Sequence, residues 1–269
     1  MAENITLDPE YADLIIEVNK LKDTVAEKIA NRDMLAFHIV PDIENAYMLK
    51  IGVLENDEFM SSIRLLRINR KIELCKERKK FGLEINENEI QEQLDLEFSD
   101  IEEEYNEMQE DTYYDMEEED VTDAVTSEFL KLINVIYKNL IKKLSPLINF
   151  HNTRLDNQLY ELLEKAYREL DLTMMSKLQI ICEQRKNDSS LTIGDMQTLK
   201  KAKKKYEALI DENEEIILNI KCSDSYKKKR ILEDEKLLEN TKNEILKEIK
   251  KLDEEYKKSE KELKKILES

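Results

Sequence analysis

Of 269 residues, 39% are charged, three are glycine, three are proline and none is tryptophan. So few breakers point to an all-α chain, elongated, with long helices meeting along narrow apolar seams. They exclude the glycine-rich loops with which backbone approaches phosphate. The net charge of -18 argues against nucleic acid or an anionic membrane surface as a partner.

The first element opens at Asp8-Pro9, an N-cap followed by proline at the first helical position. Tyr11, Leu14, Val18, Leu21, Val25 and Leu35 keep a heptad-like step. Pro41 should stop this helix near Val40 and restart the chain, because proline lacks the amide that an inner helical turn needs. Ile51, Leu54, Leu65, Ile68, Ile72 and Cys75 then form a second seam, and the two helices are expected to make a hairpin over residues 1–80.

Gly82 ends that arm, and Asn86 with Glu89 has the spacing of a capping box for a third helix carrying Ile90, Leu94, Ile101, Tyr105 and Met108. From Phe81 to Phe129 there is no Lys or Arg and there are twenty Asp and Glu, which leaves 43 basic against 41 acidic residues elsewhere. Residues 81–125 are therefore an acidic helix and linker, with Asp111 to Asp123 the flexible part. Tyr113, Tyr114, Glu117, Glu118, Glu119 and Asp120 are candidates for docking on a basic partner, or on this chain's own Lys200 to Lys205 and Lys227 to Arg230.

Over residues 126–186, Leu132, Val135, Ile136, Leu140 and Leu144 recur at helical steps until Pro146 forbids simple continuation. Asn149, Asn152, Thr153 and Asp156 supply turn and cap chemistry before a second stripe starts at Leu159. The spacing predicts an antiparallel pair of helices around Pro146.

Tyr137 to Leu144, with Tyr160, Leu163, Ala166, Tyr167 and Leu170, resembles the second and third helices of a DnaJ-type J-domain over roughly 45 residues. Asp8 to Tyr11, Arg32-Asp33, Tyr47 to Gly52 and Arg70 to Leu74 are similar to the leading region of uncharacterised bacterial DnaJ-like proteins. The J-domain family carries His-Pro-Asp between its second and third helices, where it engages a DnaK-type chaperone and promotes its ATP hydrolysis. This chain has Ser145-Pro146-Leu147. The resemblance thus implies a degenerate module, with Lys138, Lys142 and Lys143 remaining as a basic face for an acidic partner.

In residues 187–269, Ile231, Leu238, Ile245, Leu252, Ser259 and Ile266 are seven apart, and Glu235, Lys242, Ile249, Tyr256 and Leu263 fill the complementary position. A coiled coil is expected, folded back on Leu199 to Ile220 through a turn at Ser223-Asp224-Ser225, with homodimerisation the alternative.

No catalytic or metal-binding constellation emerges. His38 and His151 are far apart and lack ligands at zinc spacing, so no metal or other cofactor is expected. Cys75, Cys182 and Cys222 are odd in number and widely separated. That pattern, with no secretion signal at Met1 to Asn4 and no bilayer-length apolar run, points to reducing cytoplasm. The sequence reads as a non-enzymatic scaffold or adaptor that binds protein. The alternatives are a divergent co-chaperone of a DnaK-type chaperone and a dedicated regulator or inhibitor.

Overall fold

A computed structural model describes residues 8–119, 127–149, 152–185 and 196–268, with side chains described for all of these except 104 and 106–127. The chain is all-α, with no strand among the described residues. Its helices are α1 (Pro9–Met34), α2 (Val40–Tyr47), α3 (Val53–Lys80), α4 (Glu87–Glu119), α5 (Ser127–Leu144), α6 (Arg154–Arg168), α7 (Leu172–Gln184), α8 (Met196–Cys222), α9 (Asp224–Glu233) and α10 (Glu235–Glu268).

Asp8 caps α1 as expected, its carboxylate accepting from the Glu10 amide at 3.1 Å. The break at Pro41 does not occur. Leu35–Ile39 and Met48–Gly52 are single π-helical turns that join α1, α2 and α3 into uninterrupted helix from Pro9 to Lys80. A proline ring collides with the carbonyl four residues back in an α-helix, and a widened turn just before it relieves that collision. The expected hairpin over residues 1–80 is not what the packing shows: the seam of α1 meets α8 and α5 in one unit, and that of α3 meets α10 and α4 in the other.

Two compact units divide the chain, Met1–Asp42 with Asp123–Lys227, and Ile43–Thr122 with Lys228–Ser269. These boundaries differ from the segments drawn along the sequence, because helices distant in sequence pair within each unit.

In the first unit, α1 packs on α8 and α5, while α5, α6 and α7 pack on one another. Val18, Val25, Ala26 and Ile29 of α1 are fully buried against Ile133, Tyr137 and Ile141 of α5, Leu163 of α6 and Met175 of α7, with Leu199, Ala202 and Tyr206 of α8 completing the core. Burying such side chains contributes about 1.5–3 kcal/mol each before the entropy of ordering them is counted.

In the second unit, α10 lies along α3. Asn69 meets Ser259, Lys76 meets Glu262 and Lys79 reaches the Ile266 carbonyl, so the two helices run parallel. The Ser259 hydroxyl donates to Asn69 Oδ1 at 2.7 Å, so the polar residue in the heptad seam has a polar partner across it. The expected partner of α10, Leu199 to Ile220, instead belongs to α8 and packs on α1. Antiparallel to α3, α4 buries Ile90, Leu94 and Phe98 against Ile63, Leu74 and Cys75. Its acidic character is matched across that seam by Arg67 to Asp95 and Glu102, Arg70 to Glu97 and Arg78 to Glu89.

Candidate functional site

The antiparallel pair around Pro146 is present. Tyr167 of α6 sits beside Asn134 of α5 and Tyr160 beside Ser145, so the two helices run in opposite directions. Stacked rings of Tyr137 and Tyr167, 3.6 Å apart and 5° from parallel, join the second half of α5 to the end of α6.

The connection is built from caps. The Ser145 carbonyl accepts from the amides of Ile148 at 3.2 Å and Asn149 at 2.9 Å, while Ser145 Oγ accepts from the Leu147 amide at 3.3 Å. Asn149 Nδ2 donates to the Lys142 and Ser145 carbonyls, and Asn152 Nδ2 to that of Leu144, so side chains satisfy acceptors that the end of α5 leaves open. Thr153 and Asp156 then form a reciprocal capping box for α6. Burial works to raise the Asp156 carboxyl, yet hydrogen bonds from Thr153 and Arg185 outweigh it and hold the group below its ordinary range.

Ser145 is wholly buried and bonds to Tyr160, whereas Pro146 and Leu147 are exposed. The turn thus presents two apolar side chains to solvent. It offers neither a charge nor a ring nitrogen at these three positions.

Two basic residues of α5 are engaged by α1. Lys138 Nζ lies 2.6 Å from Glu27 Oε2, and Lys142 pairs with Asp23. The hydrogen bond from Lys138 holds the Glu27 carboxyl below its usual value. Lys22, also on α1, donates to Asn149 Oδ1 at 2.8 Å and so ties the helix to the turn itself. Burial, then the nearby Lys142 charge, lowers the Lys22 ammonium despite Asp23 beside it. Lys143 is half-buried near Cys182. Each exposed ion pair contributes only about 0–1 kcal/mol, but together they orient α1 along this face of α5.

Beneath this face is a polar cluster that sequence patterning missed. Asp33 is 2% exposed; its Oδ2 accepts from the Tyr137 hydroxyl at 2.9 Å and its Oδ1 from Arg32 Nε at 2.8 Å. Burial, then the neighbouring Asp33 charge, pushes the Tyr137 hydroxyl far up. A usable signal existed, since Asp33 continues the apolar stripe of Ala26, Ile29 and Ala30 at a position where a charge needs a buried partner.

Tyr113, Tyr114 and Glu117 to Glu119 lie on the final turns of α4, so this part of the expected linker is helical. Asp120 and the rest of the linker, like His151, lie outside the described residues. Several lysines of the clusters offered as their docking surface have other partners, with Lys203 bound to Glu17, Lys200 near Glu10, Lys227 on Asp224 and Lys229 near Glu233. Among the described residues no three His, Cys, Asp or Glu side chains gather as a metal site, and no helix is long and apolar enough to cross a membrane.

No family model, curated protein or solved structure matches this chain.

Proposed function

We propose that the chain is a cytoplasmic, non-catalytic scaffold or adaptor, with a J-like helical pair that does not stimulate a DnaK-type ATPase. The observation that carries this reading is the position of Ser145, turned inward as a cap where the resemblance would place a histidine. Leu147 supplies no carboxylate beside it. The pairing of Lys138 with Glu27 and of Lys142 with Asp23 supports the same reading, because an acidic partner would have to displace α1 carboxylates to reach either lysine.

Single-turnover ATP hydrolysis by the host's DnaK-type chaperone, measured with and without excess full-length protein, tests this reading. The expected rate is unchanged. Acceleration that Pro146→Ala abolishes would replace the scaffold by a co-chaperone with a divergent loop.

A further inference from the structure

Among the described residues, one buried side-chain nitrogen or oxygen has no hydrogen-bond partner, Nε2 of His38. The residue sits within the π-turn Leu35–Ile39 and is 5% exposed. Its ring donates to the Tyr167 carbonyl, and because Nε2 is the atom without a partner, the donor is Nδ1. The same ring stands edge-on to Tyr167, with centroids 4.9 Å apart at 77°. Histidine is thus held as the neutral Nδ1–H tautomer, which can leave an acceptor lone pair buried at modest cost.

Protonation changes that balance, since Nε2–H would become a charged donor in a place that offers it no acceptor. The surrounding groups do not supply one. Asp33, on the same helical run, is committed to Tyr137 and Arg32. On α6, Arg168 lies over the Phe37 ring at 4.2 Å, while the hydroxyls of Tyr167 and, on α5, Tyr137 are bound to Asn134 and Asp33. On α8, which also packs on the π-turn, Asn213 receives Arg32 and Glu214 pairs with Lys28. The carbonyl end of α6 favours a cation and works in the opposite direction, but desolvation is larger and lowers the imidazole's affinity for protons.

We propose that His38 is a pH-sensitive lock in the first unit: neutral, it fastens the π-turn to the end of α6, and in mildly acidic solution its protonation loosens that contact. The proposal is independent of any chaperone role. Because the folded imidazole binds protons less readily than the unfolded one, its contribution to stability is complete above about pH 6.5 and declines as pH falls below that value. Within that window the folding constant drops by up to about tenfold per pH unit. The chain has only two histidines, and ordinary carboxylates titrate near 4, so replacing each histidine in turn isolates the part of this window that His38 supplies.

Two measurements on the full chain test the lock. Proton NMR resolves the ring Cε1 protons of the two histidines, with His151→Gln assigning them; His38 is expected to titrate below about 6.5. Urea unfolding at about pH 7.5 and 5.5 should show a loss of stability that His151→Gln retains and His38→Gln removes. A His38 midpoint at or above the ordinary value, or a pH dependence unchanged in His38→Gln, overturns the proposal. If His38→Gln does not fold, the wild-type NMR midpoint alone separates the two outcomes, a value below the ordinary one supporting the lock and any other overturning it.

Discussion

Replacing Tyr137 by Phe removes one hydroxyl from the centre of the first unit and little else. The ring stack on Tyr167 at 3.6 Å survives, and no cavity larger than an oxygen atom is created. What is lost is the 2.9 Å hydrogen bond to Asp33 Oδ2, an acceptor 2% exposed that water cannot easily reach. Leaving a buried acceptor unsatisfied costs about 1–3 kcal/mol, and here the upper half applies because the acceptor is a carboxylate. Arg32 continues to hold the other oxygen, which caps the penalty. With about 2–4 °C per kcal/mol for a unit of this size, the midpoint should fall by roughly 4–12 °C. The chain lacks tryptophan, so near-ultraviolet dichroism of the stacked tyrosines reports the transition, followed in urea with the slope checked for constancy. Asp33→Asn should cost much of the same energy, and the double variant should show coupling of at least about 0.5 kcal/mol. A loss below about 0.5 kcal/mol for Tyr137→Phe would mean that the Asp33–Tyr137 pair does not hold α1 to α5.

Leu163, fully buried between α6 and its neighbours, should cost about 2–5 kcal/mol when cut to alanine, measured by the same unfolding assay. Writing His-Pro-Asp into the turn with Ser145→His and Leu147→Asp should destabilise by about 1–3 kcal/mol through overpacking at the buried serine, and should not confer ATPase stimulation. The Tyr206 hydroxyl donates to the Ile148 carbonyl at 2.7 Å and burial pushes it up to about 12. Its contribution is therefore intact below the ordinary tyrosine value of about 10 and is lost as pH rises from there toward 12, so Tyr206→Phe should reduce the steepness of alkaline unfolding.

Elements whose causes are local were legible in the sequence. Asp8-Pro9 starts α1, Asn86 bonds both the Asn88 amide and Glu89 at the start of α4, and the asparagines after Pro146 cap α5 as turn chemistry suggests. Choice of partner was not legible. Periodicity says that Leu238, Ile245 and Ile266 share a face, but both α3 and α8 offer an apolar stripe to it, and adjacency in the chain favours the wrong one. Pro41 misled for a related reason. A proline is a local signal of a break, whereas a π-turn that absorbs it is stabilised by packing of Leu35 and His38 in the core, which no local rule contains. Asp33 was overlooked because its partner, Tyr137, is about a hundred residues away. At the candidate site the three residues of the turn could be read, whereas the pairing of α5 lysines with α1 carboxylates, across a similar separation, could not.

The seat of α1 on the basic face of α5 is most directly tested by zero-length carbodiimide coupling of the full chain, followed by peptide mass spectrometry. Glu27 and Lys138, 2.6 Å apart, should be joined, together with the Glu17–Lys203 link that marks α1 against α8. Recovery of the Glu17–Lys203 product without any α1–α5 product would contradict the account.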